Sequence, residues 1–399
     1  MSITTSLFDF SIARLPGIEF GSGKLLRLPG LIRNYGNRVM LVTGNQSIAR
    51  QPSWQTLINT LDQDGLTWQR VIVDGEPSPE LVDNIVTRYR DENFDVVVGI
   101  GGGSVLDAAK AIAGLLTVSN SVMDFLEGVG PELAYAGPPL PFIAVPTTAG
   151  TGSEATKNAV LSRRGANGFK KSFRDDQLVA DVALVDPDLL KSCPPGLIAA
   201  NGMDALTQLL ESYVSLRANP FTDALALSGL EAVRDSLLPW YDDAGNDQAC
   251  AGMAYGALLS GITLAQSGLG SVHGLAAPLG AFFPIPHGVA CGTLVAACTA
   301  RNIDAMLERE PGNPALDRYA RLGNLLGRQS CLDNNEAHAQ LVKTLEHWTE
   351  RMRLPTLGDF NVTSTDLDNI VANCRGSSMK TNPIKLEDGE IRQILESRL

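Results

Sequence analysis

The sequence predicts an α/β N-terminal domain built on a parallel sheet, followed by an all-α C-terminal domain. Three observations carry that expectation. Short Val- and Ile-rich runs alternate with helical patterns up to about residue 190. After Cys193-Pro194-Pro195 the strand-like runs vanish and apolar residues recur at helical spacing. One buried run also passes straight into glycines that open a helix. The boundary falls near 190, giving domains over 1–190 and 191–399.

Candidate strands are Arg38–Thr43, Arg70–Val73, Asp95–Ile100, Pro141–Val145 and Ala183–Val185. Most show little alternation, as in strands covered on both faces. Helical stretches lie between them at Ser53–Asp64, Pro79–Glu92 and Val105–Leu116. Strand and helix in succession imply a doubly wound sheet. Val160–Phe173 breaks the rhythm, and its Arg164-Gly165-Ala166-Asn167-Gly168 centre reads as a hairpin turn between two short strands. In the second half, Ala205–Val214, Ala224–Leu238 and Ala249–Leu264 carry helical periodicity. A cleft between an α/β and a helical domain is a common ligand site.

The chain has 399 residues, 44% hydrophobic and 19% charged, the balance of a folded globule with more than one core. A net charge of −12 argues against a nucleic-acid partner, which needs a basic face. Met1-Ser2-Ile3-Thr4-Thr5-Ser6 lacks the basic start and apolar core of a signal peptide. The apolar runs read as too short, or too broken by Gly and Pro, to span a membrane. Cys193, Cys250, Cys291, Cys298, Cys331 and Cys374 are scattered, with no C-x-x-C pair. They read as reduced thiols, used as small buried hydrophobes in a cytoplasmic protein.

Gly101-Gly102-Gly103-Ser104 follows the buried run Asp95–Ile100 and leads into Val105-Leu106-Asp107-Ala108-Ala109-Lys110. Glycines let the backbone approach a ligand closely, and a helix N-terminus offers free N–H groups and partial positive charge. A diphosphate is the natural tenant; a tight strand-to-helix turn is the plain alternative. The order is not G-x-G-x-x-G, so the standard dinucleotide fingerprint is absent. A second cluster, Pro146-Thr147-Thr148-Ala149-Gly150-Thr151-Gly152-Ser153-Glu154, also follows a strand. It reads either as part of a phosphate or ribose cradle or as a polar turn.

Only four histidines occur in the chain, and two of them, His273 and His287, share one glycine- and proline-studded stretch. Upstream, Gly202-Met203-Asp204-Ala205-Leu206-Thr207-Gln208 puts an acid on an apolar helix. One carboxylate and two imidazoles can hold a divalent transition metal with positions left open. The alternative is a pair of histidines hydrogen-bonded in a polar cleft. His338 and His347 lie in a charged helical context and read as packing or surface residues.

Taken in order, Gly101 to Ser104 with Asp107 and Lys110, the Pro146–Glu154 cluster, Met203-Asp204-Ala205-Leu206-Thr207 and the two histidine segments resemble the iron-containing (group III) alcohol dehydrogenases. The likeness covers nearly the whole chain. It implies a dehydroquinate synthase-like fold with a dinucleotide-binding domain and a metal-bearing helical domain. It implies hydride transfer between NAD(P)H and a small alcohol, aldehyde or ketone. Carried over, Gly101, Gly102, Gly103, Ser104 and Asp107 contact the cofactor, Thr147, Thr148 and Thr151 line the nucleotide, and Lys171 approaches its ribose. Asp204, His273 and His287 match metal ligands and catalytic positions, the ion being Fe²⁺ or Zn²⁺. The resemblance also implies a homodimer or larger homo-oligomer.

Two departures stand out. The family's iron site usually has a histidine where Gln208 stands, one helical turn after the aspartate; Gln208 offers an amide oxygen there, a poorer ligand than imidazole. A further family histidine, commonly given a proton-relay role, is Ala277 here, which leaves proton delivery to a bound water or to the substrate's own hydroxyls. Relatives that prefer NAD commonly carry an acid where Gly44 stands; its absence removes repulsion of a 2′-phosphate. No arginine adjoins Gly44 in sequence; Arg50 is the nearest that follows it. The alternative readings are a metal-free reductase resembling the maleylacetate reductases and a nucleotide-binding pseudoenzyme. A lyase resembling dehydroquinate synthase is disfavoured by the few basic residues between Ala199 and Gly292. Leu269, Phe282 and Phe283 suggest a small apolar pocket or simple core packing.

Overall fold

The computed structural model describes residues 9–46, 48–165, 168–329 and 333–399. Met1–Ser6, Ser47, the turn residues Ala166 and Asn167, and Cys331 lie outside the described residues. The described chain divides into two compact units, one of Ala13–Cys193 with Ala244–Ala254, the other of 9–12, Pro194–Asp243 and Tyr255–Leu399.

The first unit is α/β. Its elements run β1 (Gly17–Phe20), α1 (Leu28–Ile32), β2 (Arg38–Thr43), α2 (Pro52–Gln63), β3 (Thr67–Ile72), α3 (Pro79–Tyr89), β4 (Val96–Gly101), α4 (Gly103–Leu115), β5 (Phe142–Pro146), β6 (Asn158–Arg163), β7 (Phe169–Arg174) and β8 (Val182–Val185). Six strands form one parallel sheet in the order β1-β8-β5-β4-β2-β3, and β6 and β7 form a separate antiparallel pair.

The continuous apolar strands follow from burial on both faces. Val39, Leu41, Val96, Val98, Ile143 and Val145 point into one core with Leu28, Leu57 and Leu61 of the α1 and α2 side. Met40, Val42, Val97 and Ala144 point into the other, with Val82, Ile85 and the Ala-rich face of α4. Successive strand residues alternate between the two, so neither face can be polar.

The order of the strands reverses between β2 and β4. From there β3 lies to one side and β5 to the other. In open α/β sheets the ligand crevice lies beyond the carboxyl ends of the strands at such a reversal. Thr43 pairs with Ile100 and Gly101 with Pro146, so Gly44, Gly102 and Thr147 leave neighbouring strands at one end of the sheet.

The other unit is helical: α5 (Pro195–Val214), α6 (Pro220–Asp242), α7 (Asp247–Ser267, whose first turns belong to the α/β unit), α8 (Ser271–Phe282), α9 (His287–Arg309), α10 (Ala315–Leu326), α11 (Asn334–Arg351), α12 (Leu367–Asn373) and α13 (Asp388–Glu396). Helix α5 starts well before the expected Ala205. Pro195 sits in its first turn, where a preset φ and a missing N–H cost nothing.

One expectation needs correcting. Helix α7 is long and apolar enough to cross a membrane by length and composition, contrary to the reading of every apolar run as too short or broken. Its most apolar window is 67% buried inside the fold, as in a core helix.

Candidate metal centre

Asp204 lies near the middle of α5, 1% exposed, between the buried apolar residues Met203 and Ala205. His273 sits in the first turn of α8 and His287 is the first residue of α9, after Pro286. Packing of α9 on α5 depends on small residues. A Cβ at Gly288 would stand 2.4 Å from the Ala200 carbonyl oxygen, and one at Gly292 would stand 2.8 Å from Met203 Cβ. Both partners lie within the turn of α5 that precedes Asp204, so they set how close His287 comes to it.

The three predicted residues converge. His273 Nε2 lies 3.3 Å from Asp204 Oδ1 and His287 Nε2 lies 3.7 Å from the same oxygen. Cys291, one helical turn after His287, completes a group of four whose donor atoms all lie within 4.8 Å of one another. Neither oxygen of Asp204 accepts a well-formed hydrogen bond, although both are shielded from solvent. A buried carboxylate left without a hydrogen bond is costly unless a cation faces it. The donors present, one carboxylate oxygen, two imidazole nitrogens and one sulfur, suit Zn²⁺ or Fe²⁺. His287 keeps 27% of its side chain accessible, so the group opens to solvent on that side.

The buried groups also act on one another electrostatically. Burial pushes the Asp204 carboxyl upward, but His287 and His273 outweigh it and hold the group below its usual range. Burial also opposes the imidazolium of His273; Cys291, Asp204 and Glu211 overcome it and raise that ring well above its ordinary value. Burial drives the Cys291 thiol up to about 12.

Glu211, on the same α5 face as Asp204, is a residue that sequence reasoning missed. Its Oε2 lies 2.6 Å from His273 Nδ1, and its Oε1 accepts from the Val272 N–H at 2.6 Å. A proton on Nδ1 donated to Glu211 leaves Nε2 free toward Asp204. Its spacing from Asp204, two helical turns along one apolar helix, was the available signal.

Gln208, one helical turn after Asp204, is buried, with its Oε1 2.8 Å from Ser260 Oγ, whose single proton serves either that oxygen or the Ala257 carbonyl. The fourth donor that the fold brings in is Cys291, read from sequence as a small buried hydrophobe. Ala277 is half-buried on α8, one turn after His273. His338 is buried with Nε2 2.7 Å from the Leu316 carbonyl oxygen, and His347 is exposed. Leu269 is buried, and Phe282 and Phe283 are half-buried.

In the α/β unit, Gly102 precedes α4 with extended backbone and no side-chain cap, leaving first-turn N–H groups of Gly103 and Ser104 without intrahelical acceptors. Thr148 and Thr151 stand against that turn: a Cβ on Gly102 would meet Thr148 Oγ1 at 3.3 Å, and one on Gly103 would meet Thr151 Oγ1 at 2.6 Å. The Thr147 N–H donates to the Gly101 carbonyl at 3.0 Å. Lys171 is exposed on β7, its ammonium beside Gly128.

Asp107, expected to touch the cofactor, also braces the scaffold. It accepts from Ser153 Oγ at 2.5 Å and from the Val160 N–H at 3.1 Å. Lys110 is 1% exposed and donates to the Ser153 carbonyl, Thr156 Oγ1 and the Asn158 carbonyl, each at 2.9 Å. Beside Gly44, the structure supplies an arginine that sequence proximity does not show. Arg70 on β3 donates from Nε to Thr43 Oγ1 at 2.8 Å and from Nη2 to the Gly44 carbonyl at 3.0 Å, its guanidinium lying over Trp54. Arg50 bonds Gln46 instead.

Comparison with known proteins agrees with this geometry. Residues 16–187 match the family model for iron-containing alcohol dehydrogenase, and residues 198–399 match that for the C-terminal domain of the Fe-containing alcohol dehydrogenase family. The chain is 34% identical to long-chain-alcohol dehydrogenase 1 of Geobacillus thermodenitrificans, over 97% of each chain. It is 29% identical to the NADPH-dependent butanol dehydrogenase of Clostridium saccharobutylicum, over 95% of each. A crystal structure of 1,3-propanediol oxidoreductase superimposes with a TM-score of 0.88 at 27% identity, covering 98% of this chain and all of that one. The chain belongs to the iron-containing alcohol dehydrogenase family, metal-dependent NAD(P)-linked oxidoreductases that interconvert alcohols and carbonyl compounds.

Proposed function

We propose that Asp204, His273 and His287 hold the divalent metal of this alcohol dehydrogenase and are its catalytic metal ligands. We likewise place the nucleotide at Gly101–Ser104, Thr147, Thr148 and Thr151. The observation that carries the metal reading is the buried Asp204 carboxylate, with no well-formed hydrogen bond and two imidazoles aimed at it. Bound there, the metal supplies Lewis acidity to the substrate oxygen while the nicotinamide gives or takes the hydride. Glu211 fixes the ring orientation of His273 and keeps Nε2 directed inward. The open side at His287 gives a small alcohol or aldehyde its approach. Ala277 carries no proton, so proton exchange falls to water or to the substrate's own hydroxyls.

On this reading residues 1–190 serve the nucleotide and 191–399 the metal and substrate. NADP(H) is accommodated, because Gly44 offers no carboxylate against a 2′-phosphate and Arg70 holds a guanidinium beside it. Lys171 remains a candidate for the ribose. We also infer a homo-oligomer in the cytoplasm; the five described cysteines are all free and buried, which suits a reducing compartment.

The test is metal removal. Chelation abolishes NADPH-dependent aldehyde reduction, and Zn²⁺ or Fe²⁺ restores it. Asp204→Asn loses the metal and about a thousandfold in kcat/KM, several kcal/mol of transition-state stabilisation. Full activity in a sample verified to contain no metal defeats the reading.

A further inference from the structure

We infer that Cys291 is a fourth protein ligand of the metal, beside Asp204, His273 and His287. This rests on Asp204, His273 and His287 being metal ligands. Four observations support it.

The first is placement. Cys291 follows His287 by one turn of α9, so both side chains face α5 from the same side of the helix. The thiol is fully buried among the other donors.

The second is spacing. Cys291 Sγ lies 3.6 Å from His273 Nε2 and 3.8 Å from His287 Nε2. The nitrogen-to-carboxylate separations are 3.3 and 3.7 Å. Donors about 2.0–2.3 Å from a common tetrahedral centre stand roughly 3.3–3.6 Å apart. Donors at right angles around an octahedral ion would stand closer, at about 3 Å. These four separations, 3.3 to 3.8 Å, lie closer to a tetrahedral shell than to the tighter right-angle spacing of an octahedral one.

The third is the Asp204 carboxylate. It is buried, has no well-formed hydrogen bond, and faces the same point as the sulfur. The fourth is Gln208, whose Oε1 already has a polar neighbour, Ser260 Oγ at 2.8 Å, whereas Asp204 has none apart from the other three donors.

A thiolate changes the metal. Sulfur is a soft donor and favours Zn²⁺ or Co²⁺ over Fe²⁺ beyond what the imidazoles impose. The site of this chain is thus a mixed oxygen, nitrogen and sulfur centre suited to zinc.

Cobalt reports the ligand directly, because Co²⁺ bound to thiolate shows a sulfur-to-metal charge-transfer band in the near ultraviolet. Full-length protein is stripped with chelator and loaded anaerobically with one equivalent of Co²⁺. The expected result is that band together with intense visible bands of a four-coordinate ion. Cys291→Ser loses the charge-transfer band, keeps visible bands, and releases Co²⁺ at least about tenfold more readily, since even outer-shell changes cost that much. Cys298→Ala, altering a neighbouring buried thiol, retains the band. X-ray absorption of the zinc-loaded wild type, which needs no variant, shows one sulfur at about 2.3 Å. A Co²⁺-loaded, active wild type without the band overturns the ligand assignment and leaves the dehydrogenase reading standing. Failure to bind Co²⁺ or Zn²⁺ at all overturns both.

Discussion

His273 Nδ1 lies 2.6 Å from Glu211 Oε2, while the opposite ring nitrogen faces Asp204 at 3.3 Å. The imidazole is thus clamped between two carboxylates with different tasks. Glu211 also accepts the Val272 N–H in the first turn of α8, where the helix dipole favours a negative charge. Glu211 is a positioning residue, acting through His273. Glu211→Gln keeps the shape and an acceptor oxygen but removes the charge. Metal affinity is expected to fall about 10–100-fold, as for other outer-shell changes. Melting of the metal-free protein should barely move, and titration of the stripped protein with Zn²⁺ separates the two effects. Unchanged metal affinity refutes the role.

Cofactor preference should turn on Gly44 and Arg70. Gly44→Asp places a carboxylate at the end of β2 and is expected to lower the NADPH-to-NADH ratio of kcat/KM by about tenfold, the effect of about 1.4 kcal/mol. Arg70→Gln should reduce kcat/KM with NADPH by a similar factor and leave NADH nearly unaffected. Steady-state kinetics with both cofactors decide it. A ratio that neither variant moves removes Arg70 from nucleotide recognition.

Stability of the α/β unit should depend on pH through Glu154. Burial raises its carboxyl from 4.5 to about 7, with Lys110 opposing, and lowers Lys110 to about 8. The folded chain holds the Glu154 proton more tightly than the unfolded chain does. Stability from this group is therefore complete below 4.5 and declines as pH rises toward 7. Lys110 acts in the opposite sense at higher pH: the folded chain gives up its proton first, so its share of stability recovers from about 8 upward. Glu154→Gln should match the wild type near pH 5 and exceed it at pH 8 by up to about 3 kcal/mol. Denaturant titrations at the two pH values test this. A Gln variant no better at pH 8 than at pH 5 contradicts the assignment.

Much of the architecture was legible for a simple reason. Strands β2, β4, β5 and β8 are buried on both faces, so their apolar runs are unbroken. Strand β1 was not, because it is four residues long and half-exposed; only its pairing with β8 defines it. The start of α5 was hidden by Pro194-Pro195, which reads as a break until the second proline is seen in a first turn. Asp204, His273 and His287 stand out by rarity and by motif order. Cys291, Glu211 and Arg70 acquire meaning only from neighbours remote in sequence: α9 against α5, α8 above Glu211, and β3 beside β2. Helical spacing places Cys291 with His287 and Glu211 with Asp204, but nothing local says what those faces meet.

The contacts at Gly288 and Gly292 bear on how such a centre can change over evolution. Each leaves no room for even one methyl group between the two helix backbones or their nearest side chains. Enlarging either residue would lever α9 away from α5 and carry His287 and Cys291 off Asp204 together, whereas exchanging one donor for another leaves the frame untouched. Metal identity is therefore free to drift through positions such as 208 and 291, while the two residues that bind nothing are the ones selection must hold still.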